Sequence, residues 1–171
     1  MPSAAANLLI DGFGRVEEHV RSVVSGLEEA DLTARLDPDA NSIAWLVWHL
    51  TRVQDDHVAE VAGTEQVWTG QGWFDRFGLP FDPASTGYAH SSADVGALRG
   101  LGTDLLTGYH EAVHERTVAY LADLEDADLD RVVDTSWTPH VTLGVRLVSV
   151  LDDATQHAGQ AAFVRGVLRR R

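Results

Sequence analysis

The sequence predicts an all-α protein, a four-helix bundle with a long crossover loop between its second and third helices. Four long segments repeat apolar residues every three or four positions, as amphipathic helices do. Alternating β-branched residues are too sparse for a sheet, except at residues 131–134. We therefore expect a single domain over residues 1–171, with an architecture that builds metal sites from side chains facing inward on separate helices.

The first two helices follow from this apolar spacing. Helix one is predicted over residues 7–29, where the acidic run at its end marks the exit. Helix two is predicted over residues 43–62, because Asn41-Ser42 offers an N-cap and Gly63 offers a C-terminal stop. His49 lies inside helix two, among tryptophan and leucine residues.

The crossover over residues 68–90 is rich in Gly, Pro, Trp and Phe. A connection this long is uncommon in a compact domain, and its aromatic content indicates that it packs on something, so we expect it to fold over a pocket. Helix three is predicted to follow a cap at Ser92 or Asp94 and to run toward Leu124. Several glycines interrupt its first half and lower its helix propensity there.

Helix four is predicted from a cap at Thr142 to Arg169, where the arginines 169–171 complement the negative end of the helix dipole. It carries Asp153 and His157, which are four residues apart and therefore emerge from one face, one turn apart. An unpaired carboxylate among the apolar residues of this helix would be costly, and a divalent cation removes that cost. The pair predicts half of a metal site.

His49 is the predicted third ligand. Its apolar neighbours imply that the ring is partly buried, and a buried imidazole needs a hydrogen-bond partner or a metal. A single buried histidine is more often a satisfied core residue, so the assignment depends on the pair in helix four. Two neutral imidazoles and one carboxylate leave open positions on a divalent ion, as catalytic sites do, and they suit zinc, nickel, iron or manganese.

A rival motif lies in helix three. The run His110-Glu-Ala-Val-His114 matches the H-E-x-x-H pattern, in which two histidines bind zinc and the glutamate acts as a general base. The extended motif fails because Thr117 and Tyr120 stand where glycine and histidine are required, although Glu125 stays open as a third ligand. We interpret His110 and His114 instead as residues of a solvated helix face.

Composition limits the possible partners. The formal net charge is -13 and the chain contains no lysine, so we expect an acidic surface that repels nucleic acid. Because there is no cysteine, any metal must bind to nitrogen and oxygen. The chain shows neither a signal-peptide pattern nor an apolar run of the roughly 18 residues that a membrane span needs. We therefore expect a cytoplasmic protein without membrane partners.

Several segments resemble the DinB-like superfamily. They are Trp45-Leu-Val-Trp-His-Leu-Thr-Arg-Val-Gln-Asp55, the loop Gly72-Trp-Phe-Asp-Arg-Phe-Gly-Leu-Pro80 with Gly87-Tyr-Ala-His90, and the ending Trp137-Thr-Pro-His-Val-Thr-Leu-Gly-Val-Arg-Leu147 with Asp153-Ala-Thr-Gln-His-Ala-Gly-Gln-Ala-Ala162. The chain is most similar to the actinobacterial branch that includes mycothiol-dependent maleylpyruvate isomerases and mycothiol S-transferases. The likeness covers nearly the whole chain.

The resemblance implies a four-helix bundle that holds a divalent metal, commonly zinc or nickel. The metal ligands in this superfamily are a histidine of the second helix and, on the last helix, a carboxylate or histidine four residues before another histidine. His49, Asp153 and His157 match that pattern. Asp153 is a departure, since the thiol-transferase branch more often has glutamate there, and the shorter side chain bears on metal preference and pocket shape.

The implied function is a metal-dependent S-transferase or isomerase, in which mycothiol, as a metal-activated thiolate, attacks a small electrophile under the aromatic loop. Asp56 and Gln160 are candidate contacts for the thiol, and His57 is interpreted as a solvated or supporting residue. The candidate substrate pocket is lined by Trp73, Phe74, Phe77 and Tyr88. Aromatic residues in a loop more often pack the loop against the rest of the protein, and this is the alternative interpretation of these four.

Two further expectations accompany the resemblance. The superfamily likeness predicts a homodimer. The alternative function is that of a DinB-like metal protein that hydrolyses or binds a small molecule without a thiol cofactor.

Overall fold

The computed structural model describes residues 2–170, and its helices form the predicted bundle. The helices in chain order are α1 (Ala4–Val24), α2 (Glu29–Thr33), α3 (Ile43–Ala62), α4 (Val67–Gly70), α5 (Trp73–Phe77), α6 (Ser92–Gly96), α7 (Thr103–Ala122) and α8 (Leu143–Leu168). A 3-10 turn at Asp126–Asp130 follows α7. Arg171, which belongs to the arginine cluster predicted at the end of helix four, lies outside the described residues.

A short hairpin precedes the last helix. Its strands are β1 (Val132–Asp134) and β2 (Val141–Thr142), which pair antiparallel with Val132 opposite Thr142. The first strand falls in the segment that the sequence marks as the exception to an all-helical pattern. The Thr142 hydroxyl then accepts a hydrogen bond from the Val145 amide at 3.3 Å and begins α8 as predicted.

The second predicted helix has the bounds of α3. The Ser42 hydroxyl accepts from the Trp45 amide at 3.1 Å, and Gly63 ends the helix in the left-handed conformation at φ 65°. Helix one is shorter than predicted, since α1 ends at Val24. The acidic residues beyond it form a capping box that begins the separate helix α2, with Glu28 and Asp31 bonding reciprocally to backbone amides.

The third predicted helix is divided in two, which corrects the prediction of one continuous helix. Ser91 caps α6, so neither Ser92 nor Asp94 is the cap residue, although the Asp94 carboxylate completes the capping box. The chain then leaves the helical path and passes through Gly100 at φ 72° before α7 begins. Glycine adopts this backbone conformation without the steric cost that other residues meet.

The helix α3 lies at the centre of the fold. It packs against α8 on one side and α7 on another, while α1 packs against α7 and α8. Every residue from 42 to 52 is buried, including the polar ones. Because the same stretch carries His49, a central helix brings this imidazole into the interior, against α8.

The crossover covers α3 and α7 and is partly helical. Trp68 of α4 is fully buried, and its ring lies 5.0 Å from the ring of Tyr109 and 5.1 Å from that of Phe77. These rings anchor the segment by burying apolar surface. None of the helices in the described part of the chain is long and apolar enough to span a membrane.

Candidate metal centre

Three candidate ligands meet between α3 and α8. The ligand atoms of His49, Asp153 and His157 all lie within 4.8 Å of one another. The carboxylate oxygen Oδ1 of Asp153 is 3.9 Å from Nε2 of His157, and the two imidazole rings are 4.7 Å apart between centroids. The packing of α3 on α8 therefore brings together the histidine of one helix and the pair on the other.

The His49 ring is held by its surroundings. Its Nδ1 lies 2.5 Å from the Thr86 carbonyl oxygen, and because a carbonyl only accepts, Nδ1 carries the proton of this hydrogen bond. The Trp45 ring stacks on the imidazole at 4.5 Å and 14°. The lone pair of the neutral ring is then on Nε2, which leaves this nitrogen available to bind a metal ion.

Gly87 allows the crossover to approach His49. A Cβ atom at this position would lie 2.7 Å from Nδ1 of His49 and 3.0 Å from the Trp48 ring. The backbone also has φ 93°, a conformation that favours glycine. Any larger residue would push the segment away from the imidazole.

The residues present fit a divalent cation. Burial lowers the pKa of His49, aided by His157, although the hydrogen bond to Thr86 and the charge of Asp153 act in the opposite direction. The imidazole is therefore neutral near pH 7. Within the described residues, Oδ2 of Asp153 and Nδ1 of His157 are buried without a hydrogen-bond partner. A buried, unpaired carboxylate oxygen is costly, and a cation bound there removes the cost.

His90 holds the Trp45 ring that stacks on His49. Nε1 of Trp45 donates to Nδ1 of His90 at 3.1 Å, so Nε2 carries the proton of the neutral ring and donates to the Ser85 hydroxyl at 3.0 Å. Both ring nitrogens are thus used. Burial lowers the pKa of His90, partly offset by Asp94, which favours this neutral form.

Arg52 is fully buried and fastens the crossover to α3. Its guanidinium donates to the carbonyl oxygens of Ser85 at 3.1 Å and Pro83 at 3.3 Å, and to Oε1 of Gln66 at 2.8 Å. Thr86, the next residue after Ser85, supplies the carbonyl that accepts the hydrogen bond from His49. A buried arginine therefore positions the backbone acceptor of the candidate metal centre.

Asp55 fastens the other part of the crossover. Its carboxylate accepts from the amides of Val67 and Trp68, each at 2.8 Å, and from the Tyr109 hydroxyl at 2.8 Å. It also lies 3.6 Å from the Arg52 guanidinium. The hydrogen bonds satisfy the two buried charges, which would be costly if left unpaired.

Two pockets flank the candidate ligands along the groove between α3 and α8. The Asp153 pocket has a volume of about 210 Å³ and is lined by Val53, His57, Arg146, Ser149, Val150 and Asp153. The Gln160 pocket has a volume of about 410 Å³ and is lined by Ala40, Asn41, Leu46, Gly159, Gln160, Phe163 and Val164. The candidate ligands therefore have a pocket on either side.

The predicted thiol contacts lie in different surroundings. Asp56 is half-buried, and its Oδ1 accepts from Nε2 of Gln66 at 2.7 Å, so it belongs to the network that holds the crossover. Gln160 is exposed and lines the pocket named after it. His57 lines the Asp153 pocket, and its Nδ1 accepts from Arg146 at 3.2 Å.

The predicted aromatic pocket residues have packing partners of their own. Trp73 and Phe77 are buried against Tyr109, with 5.7 Å between ring centroids in each case. Phe74 packs on Trp68 at 5.9 Å. Tyr88 is 89% exposed. These contacts agree with packing anchors, and a role in substrate binding stays a prediction.

The solvated-face interpretation of the rival motif is wrong for His110. This residue is 1% exposed, and its Nδ1 donates to the Thr51 hydroxyl at 3.0 Å, while that hydroxyl donates to the Val47 carbonyl at 2.7 Å. Burial lowers the pKa of His110 to about 3. His114 is half-buried, and the intervening Glu111 pairs with Arg21.

The rival motif does not assemble a site. Across residues 2–170, His49, Asp153 and His157 form the one group of three or more His, Cys, Asp or Glu side chains close enough to hold an ion. His110 faces α3 because that helix offers Thr51 as a partner. A sequence pattern does not show which neighbouring helix a face meets, so this burial escaped prediction.

Four further residues contribute to the site without having been predicted from the sequence: Thr86, Gly87, His90 and Arg52. The run Gly87-Tyr-Ala-His90 is one of the segments that carry the family resemblance. That resemblance is the sequence signal that indicates a role for Gly87 and His90. Thr86 acts through its backbone carbonyl, which leaves no mark in a side-chain pattern. Arg52 follows the mainly apolar first half of α3, and a charged residue in such a stretch indicates a buried partner network.

The bundle and its histidine–carboxylate cluster define a DinB-like protein with a candidate metal centre between its second and last long helices. The profile of the mycothiol S-transferase family matches residues 9–170, and the chain belongs to this family. The match spans both helices that supply the candidate ligands.

Solved structures support the same fold. The chain is similar to a conserved protein from Enterococcus faecalis, with 27% sequence identity and a TM-score of 0.92. The likeness covers 100% of this chain and 99% of that one. No functionally curated protein matches the chain. The family and the geometry of the site therefore carry the functional argument.

Proposed function

We propose that this protein is a divalent-metal-dependent S-transferase that joins the thiol of mycothiol to a small electrophile. The observation that carries the proposal is the cluster of His49, Asp153 and His157, whose ligand atoms lie within 4.8 Å and which has a pocket on either side. Membership of the mycothiol S-transferase family supports the choice of thiol.

Different residues of the chain have different roles in such a reaction. His49, Asp153 and His157 would hold the ion, and a divalent cation bound there lowers the pKa of a nearby thiol so that its sulfur is nucleophilic near neutral pH. The Trp45 ring on His49 keeps water from one side of the site. The two pockets hold the reactants close to each other.

The overall reaction is a substitution or an addition at carbon. The thiol gives up its proton to solvent, its sulfur forms a bond to the electrophilic carbon, and a leaving group departs with its electron pair. In an isomerisation, the thiol adds to a double bond, rotation follows, and the thiol is released unchanged. The protein needs no cysteine for either course, and the chain has none.

The nature of the ion and the assembly state are part of the proposal. We propose zinc, because two imidazoles and one carboxylate form a frequent catalytic zinc set, with nickel as the other candidate. We further propose a single-domain homodimer. Elemental analysis of protein purified without added metal identifies the ion, and light scattering gives the mass of the assembly in solution.

Ligand substitutions test the proposal. We expect His49→Ala, Asp153→Ala and His157→Ala to reduce the bound metal from about one ion per chain to a trace and the thiol-transfer rate by about 100-fold or more. Asp152→Ala and His140→Ala are matched controls, because both residues are exposed. They should keep wild-type metal content and rate.

The outcomes separate the proposed function from its alternative. The assay follows loss of mycothiol thiol with a panel of electrophiles, at several thiol concentrations. A metal-loaded protein whose turnover is indifferent to thiol concentration would instead be a DinB-like hydrolase or ligand-binding protein. Ligand variants that keep their metal would overturn the site itself.

A further inference from the structure

We propose that the Gln160 pocket binds the ring portion of the thiol substrate, a sugar or polyol, and that the Asp153 pocket holds the electrophile. This assignment rests on the proposed function and names which reactant approaches from which side. It concerns the two pockets and makes no further claim about the ion.

The Gln160 pocket begins about one helical turn from the candidate ligands, whereas Asp153 itself lines the pocket on the other side. In the Gln160 pocket, Leu46 precedes His49 by three residues and Gln160 follows His157 by three, a rise of about 4.5 Å in each helix. The antiparallel arrangement of α3 and α8 puts both residues on the same side. A thiol whose rings occupy this pocket therefore has a short reach to the ligand cluster.

The Gln160 pocket has the chemistry of a surface for hydroxyl-rich rings. Asn41 and Gln160 each offer an amide that both donates and accepts, which suits neighbouring hydroxyl groups. The Phe163 ring is 66% exposed and presents an apolar face to the C–H groups of a ring. Leu46 and Val164 complete an uncharged lining among the described residues.

The dimensions of the pocket agree with this ligand. Mycothiol carries its cysteine on an amino sugar linked to inositol, so its larger part consists of two uncharged rings. A volume of about 410 Å³ is nearly twice the 210 Å³ of the Asp153 pocket. Small-molecule sites of this kind use a few polar groups to fix orientation over an apolar base.

The Asp153 pocket is smaller than the Gln160 pocket and, unlike it, is lined by charged residues. Arg146 pairs with Glu60 and Asp134, and it donates to Nδ1 of His57 at 3.2 Å. The proton of a neutral His57 ring is then on Nε2. Nε2 of His57 thus offers a donor to an acceptor oxygen, which suits a small electrophile with a carbonyl group.

A comparison of two thiols tests the assignment. N-acetylcysteine has the reactive end of mycothiol without its rings. For Gln160→Ala and Phe163→Ala we expect the KM for mycothiol to rise roughly three- to tenfold, while the KM for the electrophile stays at the wild-type value. With N-acetylcysteine, kcat/KM should equal that of the wild type, because no ring contact is lost.

The matched control lies on the same helix. Val148→Ala removes an exposed apolar side chain of α8 that lines neither pocket, since this residue is 59% exposed. It should leave the KM values for both thiols unchanged. A rise of the mycothiol KM in Val148→Ala equal to that in Phe163→Ala would overturn the assignment.

A binding measurement supplies a readout that needs no turnover. S-methyl mycothiol keeps both rings but cannot form a thiolate, and calorimetry gives its Kd for each variant. We expect the Kd to rise roughly three- to tenfold in Gln160→Ala and Phe163→Ala and to stay constant in Val148→Ala. Equal Kd values in all variants, or no binding to the wild type, would overturn the assignment.

The two proposals fail in different ways. If the wild type shows no thiol-dependent turnover with either thiol, the proposed function is wrong. If turnover depends on thiol but the ratio of kcat/KM for mycothiol to that for N-acetylcysteine is the same in every variant, the proposed function stands and the pocket assignment is wrong.

Discussion

At the level of single residues, the His49 ring is restrained by three contacts. The Thr86 carbonyl accepts from Nδ1, the Trp45 ring stacks on one face, and Gly87 lies close to the ring. Each contact limits rotation of the imidazole, and together they direct Nε2 to the candidate ligands of α8. A metal site benefits from such restraint because less side-chain entropy is lost on binding.

Gly87→Ala tests this restraint. The added Cβ would lie 2.7 Å from Nδ1 of His49 on a backbone with φ 93°, so either the ring or the crossover must move. We expect the Kd for zinc to rise about tenfold or more, measured by competition with a chromogenic chelator. Gly72→Ala is the control, since Gly72 has φ 71° but open space within 4 Å. Equal losses in both variants would attribute the effect to backbone strain alone.

His110 predicts a pH dependence of stability. Burial, together with the charges of His114 and Arg21, lowers its pKa to about 3 from the ordinary 6.5. Between these values the unfolded chain binds the additional proton, so the free energy of unfolding falls as the pH falls through that window. One such group contributes a slope of up to about 1.4 kcal/mol per pH unit.

The variant His110→Gln isolates this contribution. Burial also lowers the pKa values of His49, His90 and His114, so the wild-type slope contains several groups. Urea unfolding of both proteins between pH 4 and 7 should show a smaller slope for the variant, whatever its stability at neutral pH. Parallel curves would contradict the buried, neutral state of His110.

At the level of the element, the crossover depends on a buried ion pair. Arg52 and Asp55 of α3 together bond the backbone at Pro83, Ser85, Val67 and Trp68. The segment is therefore fixed at both ends although it contains only short helices. Its position determines where the Thr86 carbonyl lies, so the stability of the crossover and the geometry of the candidate metal centre are coupled.

Asp55→Ala should be strongly destabilising. It leaves Arg52 without its carboxylate and removes the acceptor of two backbone amides, and breaking a buried pair in this way costs about 3 kcal/mol or more. Asp56→Ala is the matched control, because Asp56 accepts one hydrogen bond from Gln66 and should cost about 1 kcal/mol. Urea unfolding measures both, and similar losses would contradict the anchoring role of Asp55.

At the level of the whole molecule, a bound ion would connect α3 to α8, which pack along the centre of the bundle. Such an ion binds the folded chain and stabilises it through that preference. The same logic applies to any ligand of the folded state, so the effect depends on free metal concentration.

Metal removal should lower the thermal stability. At a free zinc concentration of 100 times the Kd, the stabilisation is about 2.7 kcal/mol, which for a protein of this size corresponds to roughly 5 to 10 °C in Tm. A calorimetric scan with and without a chelator measures this shift. Asp152→Ala should show the same shift as the wild type, whereas Asp153→Ala should show none. A chelator effect that persists in Asp153→Ala would point to binding elsewhere.

The features that depend on local spacing could be predicted from the sequence alone. Helical periodicity predicted the long helices, and α3 was predicted at its observed bounds because its Ser42 cap and Gly63 stop are local signals. The spacing of Asp153 and His157 put both side chains on one face of a single helix. His49 was singled out by its apolar neighbours and by the family resemblance.

Which helix faces meet depends on the packing of the whole fold. That packing places His49 against α8 and His110 against Thr51, and the acidic residues after α1 cap a separate helix. Thr86 is 37 residues from His49 along the chain, yet its carbonyl orients the ring. Contacts over such separations depend on how helices pack in three dimensions, and local spacing carries no record of that packing.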